Sequence, residues 1–179
     1  MLNMWGDWYK RMEKDKPPYG DDLKTCQMAG EFLGDMKTVE DWGCGLGIFK
    51  RFCKGKYIGI DGTNTPAVDK WVDLSFYKSS VDGIMMRHVL EHNYGWKTVL
   101  DNAISSFNKK MCLVIFTPFS EKTHKIAQTT YKKLDVPDIS FRQEDIEKRL
   151  KDCQWEEITI KTDRCYKLEH IYFITKDKK

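Results

Sequence analysis

The chain has 179 residues, 41% hydrophobic and 32% charged, with 30 basic against 27 acidic residues and a net charge of +3. That length supports one domain with a substantial core, and the charge is too mild to argue for a nucleic-acid partner by itself. The six cysteines, at positions 26, 44, 53, 112, 153 and 165, form no CxxC pair and fit no zinc-ribbon spacing, so they read as scattered reduced thiols of a cytoplasmic protein.

Residues 1–36 read as an amino-terminal cap on a core spanning 37–179. Met1–Asp7 lacks the basic start and apolar core of a secretion signal, and no apolar run reaches membrane-spanning length. Trp5, Trp8, Tyr9 and Tyr19 are interleaved with Lys10, Arg11 and Lys14. Such a stretch can close over a ligand, stack on a planar acceptor, cover a sheet edge as an amphipathic helix, or meet RNA; we favour the lid or cap over nucleic acid. Pro17-Pro18 ends any helix there, and Asp21 or Asp22 can cap a following helix through Met36.

The next segment, Val39-Glu40-Asp41-Trp42-Gly43-Cys44-Gly45-Leu46-Gly47-Ile48-Phe49, is the most informative in the chain. An apolar start, an acid and three alternate glycines run into a helical pattern, which predicts a strand over 38–42, a tight turn and a helix over 46–53. Glycines there permit positive φ and let backbone approach a ligand, as in nucleotide-binding α/β units. Lys56–Ile60 then reads as a second strand ending in Asp61-Gly62, roughly 20 residues downstream of the first glycine, where such units place a carboxylate on the ribose hydroxyls.

Strand-like and helix-like segments continue to alternate. Trp71–Leu74 predicts a short third strand, Gly83–Met86 a fourth, Trp96–Phe107 a helix, and Met111–Phe116 a strand covered on both faces. Residues 120–131 read as helical and Arg142–Lys151 as a charged helix, while Trp155–Lys161 and Ile171–Thr175 can pair antiparallel at a sheet edge. The alternation predicts a Rossmann-like α/β fold: a doubly wound, mostly parallel sheet in three layers, closed by an antiparallel carboxy-terminal pair. Ligands of such sheets bind at the carboxyl ends of the strands, where Asp41, Asp61, Asp73 and Arg87 fall.

The run Asp41-x-Gly43-x-Gly45-x-Gly47 resembles motif I of the class I S-adenosylmethionine (SAM)-dependent methyltransferases, and Asp61 resembles the acid ending that family's second strand. Val81-Asp82-Gly83-Ile84 leading into His88-Val89-Leu90-Glu91-His92 is similar to its fourth-strand segment. The resemblance implies methyl transfer from SAM, with S-adenosylhomocysteine (SAH) as product, to an O or N nucleophile. Asp61 and Gly62 then meet the ribose; Asp41, Gly43, Cys44, Gly45 and Gly47 lie beside the methionine portion; Asp73 and Leu74 meet the adenine; Arg87 pairs the cofactor carboxylate. His88 is the candidate base, with Glu91, His92 and His124 behind it.

A small-molecule acceptor is the default expectation, with a nucleic acid or protein docked on an open face as the alternative. Two other classes stay in view. One is a non-catalytic SAM-fold scaffold or partner subunit. The other is a zinc hydrolase, since His88–His92 matches HxxEH, a metalloprotease signature read in reverse that needs both histidines on one helical face.

Overall fold

The computed structural model describes residues 4–14, 23–163 and 165–176. Its elements are α1 (Gly6–Met12), α2 (Lys24–Leu33), β1 (Thr38–Trp42), β2 (Lys56–Asp61), β3 (Lys70–Trp71), β4 (Val81–Arg87), α3 (Trp96–Ser106), β5 (Phe107–Ile115), β6 (His124–Tyr131), β7 (Leu134–Ser140), α4 (Gln143–Glu147), β8 (Gln154–Lys161) and β9 (Leu168–Thr175). Seven strands form one sheet in the order β3-β2-β1-β4-β5-β9-β8. The first five are parallel, and β9 pairs antiparallel with both β5 and β8.

Alternation along the central strands explains the three layers. Ile84 and Met86 of β4 and Met111, Leu113 and Ile115 of β5 face α3, where Trp96, Val99, Leu100 and Ala103 meet them. Met85, Cys112 and Val114 point the other way, onto Cys26, Ala29 and Leu33 of α2. A strand with both faces covered must be apolar at every position, and this is what Met111–Ile115 shows. The strand order reverses between β1 and β4, so the crevice opens above the carboxyl ends of those two strands.

Four expectations need correction. The helix expected over 46–53 is only a single 3-10 turn, Ile48–Arg51. The third strand is two residues, Lys70–Trp71, displaced from 71–74, because Asp73 instead opens a turn through Phe76 N–H and Tyr77 N–H to its carbonyl. The charged helix stops at Glu147 and runs into a 3-10 turn over Lys148–Leu150. Residues 124–131 are strand β6, which pairs with β7 in a separate two-stranded ribbon. Ile126, Thr129, Thr130 and Tyr131 favour extended backbone. Tyr19 and the proposed caps Asp21 and Asp22 lie outside the described residues.

Helix α1 lies across the crevice. Trp5 N–H reaches Thr63 Oγ1 (3.2 Å) just beyond β2, while Asp7 meets Lys132 Nζ (3.5 Å) and Trp8 packs edge-on against Tyr131 in the β6–β7 hairpin. Helix α1 and the residue before it therefore tie the segment just beyond β2 to the extra ribbon.

Candidate active site

A cavity of about 590 Å³ sits at the carboxyl ends of β1, β2 and β4. Of the residues singled out in the sequence, Asp41, Gly43, Cys44, Gly45, Asp61, Gly62, Asp73, Leu74, Arg87 and His88 all line it. Gly47 does not. Its φ is +71°, and a Cβ there would come within 2.6 Å of Ala67 Cβ, so this glycine serves the turn and its packing.

The glycine turn offers proximity rather than amides. Gly43 N–H and Cys44 N–H both donate to Ile60 O (2.7 and 3.1 Å), Gly45 N–H donates to Asp61 Oδ2 (2.9 Å), and Gly47 N–H donates to Cys44 O (2.8 Å). The amides of Gly43, Cys44 and Gly45 thus tie the turn to the end of β2, and that of Gly47 closes the turn on itself. What faces the cavity is backbone without side chains: Gly43 at φ +76° and Gly45 at φ +53°. A Cβ on Gly43 would stand 2.3 Å from Val89 Cγ2, and one on Gly45 2.9 Å from the Tyr9 hydroxyl.

Two buried carboxylates flank this turn. Asp61 accepts from Gly45 N–H and, through Oδ1, from Thr63 N–H (2.7 Å). Burial raises its proton affinity and these backbone bonds only partly oppose that. Asp41 accepts from Tyr57 Oη (2.9 Å) alone among the described hydrogen bonds. Burial, reinforced by the neighbouring Asp61, pushes Asp41 up to about 7 despite that bond and the distant Arg87. A carboxylate desolvated in this way is held for want of a counter-charge. Cys44 is buried beside it and its thiol is driven upward by burial and by the same acids, so it has no nucleophilic character. Asp73 lies further along the wall, with Oδ1 accepting from Ser75 N–H (2.9 Å).

On the opposite wall the arrangement differs from expectation. Arg87 Nη2 bonds Glu169 Oε1 (2.7 Å), and His88 Nε2 lies 2.6 Å from the same oxygen. Thr25 Oγ1 bonds the other oxygen of Glu169. One nitrogen of Arg87 is therefore already paired inside the protein, while the residue still lines the cavity. Burial works against the Glu169 charge, but His88, Arg87 and Thr25 outweigh it and hold the acid well below the usual range. Glu169 was not legible in the sequence: it sits on β9, 82 residues from Arg87. Asp138 on β7 was equally hidden. It approaches His92 Nδ1 at 3.3 Å and accepts from Tyr166 Oη at 3.0 Å.

The segment 88–92 is not the helix that the zinc signature needs. His88 has φ +56°, and only Leu90–His92 forms a 3-10 turn. Glu91 is fully buried, its Oε1 accepting from Phe116 N–H (2.6 Å), and burial raises it to about 7 against the pull of His92. His88 turns to Glu169 and His92 to Asp138, and no group of three or more metal-binding side chains gathers among the described residues.

No protein-family model and no curated protein matches the chain. Solved structures do. A Burkholderia thailandensis 1,6-didemethyltoxoflavin-N1-methyltransferase, with its substrate and SAH bound, superposes with a TM-score of 0.71 at 11% identity, over 97% of this chain and 87% of that one. The magnesium protoporphyrin IX methyltransferase of Synechocystis, with SAH, gives 0.63 at 15% identity, over 86% of this chain and 83% of that one. Human N-acetylserotonin methyltransferase with SAM gives 0.62 at 11% identity, over 97% of this chain and 56% of that one. At such identities the likeness establishes the fold: this chain has the Rossmann-like architecture of the SAM-dependent methyltransferases.

Proposed function

We propose that the protein is a methyltransferase that uses SAM and methylates an O or N nucleophile of a small molecule. The observation that carries this reading is the single cavity above the strand-order reversal, which joins Asp61 and Asp73 at one end to His88 and His92 at the other. The residues present suit the cofactor. SAM brings an ammonium and a sulfonium, and the buried, under-compensated Asp41 is the group that such cations would relieve. Asp61 still offers lone pairs to ribose hydroxyls while it anchors Gly45. The unsubstituted face of Gly43 and Gly45 lets a ligand lie against backbone. The three solved structures described above bind SAM or SAH in the same architecture.

When bound, SAM supplies an activated methyl group on a good leaving group, so the chain's task is alignment and exclusion of water. Leu74 and Phe116 give apolar walls, and α1 roofs the cavity with Trp5, Trp8 and Tyr9. The aromatic side chains of Trp5, Trp8, Tyr9 and Phe116 on its lining also favour a small acceptor over a macromolecule. No helix of the described residues is long and apolar enough to cross a membrane.

Calorimetric titration with SAM and SAH tests the cofactor, and an acceptor screen that reads SAH release tests turnover. Micromolar binding together with SAH release supports the reading. Binding with no release across the screen leaves the scaffold alternative, and absence of binding by either compound sinks the proposal.

A further inference from the structure

The far end of the cavity is built unlike the cofactor end. His92 lies between two aromatic rings, with the Trp5 centroid at 4.9 Å and the Phe116 centroid at 5.4 Å. Trp8 stands edge-on to Trp5 at 6.3 Å, and Tyr166 backs Phe116 at 5.6 Å. Trp5, Trp8 and Phe116 all reach the cavity surface, as do His92 and Asp138. Faces and edges of rings at these separations accept a further planar π-system favourably, whereas a flexible aliphatic acceptor gains little from them.

The hydrogen bonds of His92 fix its tautomer. Nδ1 lies 3.0 Å from Pro137 O and 3.3 Å from Asp138 Oδ1. A carbonyl oxygen only accepts, so Nδ1 carries hydrogen, and in the neutral ring the lone pair is on Nε2. Nε2 makes no hydrogen bond among the described residues. Asp138 in turn accepts from Tyr166 Oη (3.0 Å) and Thr129 Oγ1 (3.3 Å). Burial would raise Asp138, but His92, Tyr166 and Thr129 more than offset it, so the group is ionised at neutral pH. Burial would likewise depress His92, and Asp138, Glu91 and the Pro137 carbonyl outweigh it, which makes the imidazole a stronger base than usual. His88, the first candidate from the sequence, has its Nε2 turned to Glu169 instead.

We infer that the acceptor is a planar aromatic or heteroaromatic molecule bearing a hydroxyl or ring N–H, that it stacks among Trp5, Trp8 and Phe116, and that His92 takes its proton. This rests on the methyl-transfer reading above. In the step, an acceptor oxygen or nitrogen forms a bond to the methyl carbon as the sulfur–methyl bond breaks. The bonding pair stays on sulfur, which becomes the neutral thioether of SAH. The acceptor's proton moves to His92 Nε2, and the imidazolium is balanced by Asp138, a positioning residue, before the proton leaves to water.

The test uses the full chain, loaded with SAH for the binding and absorbance readings and with SAM for the methylation rates, and a panel of probes: 7-hydroxycoumarin, 8-hydroxyquinoline and lumazine against ethanolamine and glycerol. Planar probes should bind and quench tryptophan fluorescence, and Trp5→Ala should weaken them about tenfold, the loss of one stacked ring. Bound 7-hydroxycoumarin should show its anion absorbance at a lower pH than in free solution. His92→Gln should retain binding, lose that absorbance shift, and slow methylation of any accepted probe about a hundredfold. Asp138→Asn should lower the rate and move the ascending limb of its pH profile to lower pH, because the imidazole loses its charged partner; this variant carries the test if His92→Gln fails to fold. If SAH binds but no planar probe does, or if only the aliphatic ones are methylated, the inference falls and the methyltransferase reading stands. If His92→Gln methylates at the wild-type rate, the base assignment falls alone. If SAH does not bind, both readings fall together.

Discussion

Asp41→Asn should stabilise the unliganded protein and at the same time cripple cofactor binding. Asp41 is 4% exposed, and its only described hydrogen bond comes from Tyr57 Oη, which an asparagine carbonyl oxygen can equally accept. In the folded chain burial lifts its pKa from the ordinary 3.8 to about 7. Below pH 4 both folded and unfolded chains keep the proton, so the carboxyl costs nothing. Between pH 4 and 7 the unfolded chain releases a proton that the folded chain retains, and stability falls as pH rises. At about 1.4 kcal/mol per tenfold change in proton affinity, the full penalty above pH 7 is about 4 kcal/mol, and relaxation around the charge brings it toward 2. Asparagine removes that penalty and also spares Asp61 a like-charged neighbour. The variant should therefore melt roughly 4–12 °C above wild type at pH 8 and within a degree or two of it at pH 4.

Glu91, also raised to about 7, titrates in the same window, but it is common to both proteins and cancels in the difference. The same substitution should weaken SAM by ten- to a hundredfold at pH 7.5. Wild-type affinity should drop by up to tenfold for each pH unit below about 7, as Asp41 must then give up a proton to meet a cation, and the variant should lack that slope. Thermal melts and calorimetry across pH 4–8 check both halves. A variant equal to or less stable than wild type at pH 8, or one whose SAM affinity keeps the wild-type pH dependence, would show that Asp41 is not the stored counter-charge.

Asp61→Ala should reduce SAM affinity at least tenfold by calorimetry. It should also cost about 1–3 kcal/mol in urea unfolding, because Gly45 N–H and Thr63 N–H lose their acceptor. Gly47→Ala separates the turn from the ligand: a residue at φ +71° with its Cβ against Ala67 should lose about 1–3 kcal/mol of stability while the folded fraction binds SAM with unchanged affinity. Glu169→Gln should destabilise by about 3–5 kcal/mol at pH 7, since Arg87 is left buried without its charge partner. Because the Glu169 pKa is depressed on folding, its contribution is full above the unfolded value near 4.5 and declines as pH falls below that. The gap between variant and wild type in urea melts should accordingly shrink in acid; a gap that is constant from pH 7 to 3 refutes the charge argument.

One end of the cavity was legible because its signals are local and the far end was not because its signals are distant. Asp41, Gly43, Gly45 and Asp61 sit at the ends of two adjacent strands, so spacing alone placed them together on the cavity wall. The same local pattern misled at Gly47, where a positive φ is needed by the turn and by Ala67. It misled again at 46–53, where a glycine-rich turn was read as the start of a helix but leads into one 3-10 turn. The β6–β7 hairpin escaped notice for a definite reason. Its tight turn is made by Lys132, at φ +53°, with Lys133, and neither is the glycine or asparagine that normally marks such a turn. With that hairpin went Asp138 and the Pro137 carbonyl, 45 residues from the histidine they orient. Glu169 was lost in the same way, as an acid in a strand otherwise apolar and buried.

These omissions share a consequence for function. The glycine turn and the acids at the ends of β1 and β2 lie close in the chain, so one sequence displays them. The far end of the cavity is assembled from α1, the turn after β4, Phe116 and the added ribbon, four pieces that meet only in three dimensions. His92, which stood behind His88 among the candidate bases, becomes distinct once Pro137 fixes which nitrogen holds hydrogen. Arg87, expected to pair a cofactor carboxylate, already meets Glu169 through Nη2. The His92–Asp138 contact therefore depends on the hairpin's register: a slip of one residue in β7 would turn Asp138 away from His92 and present its neighbour to the ring.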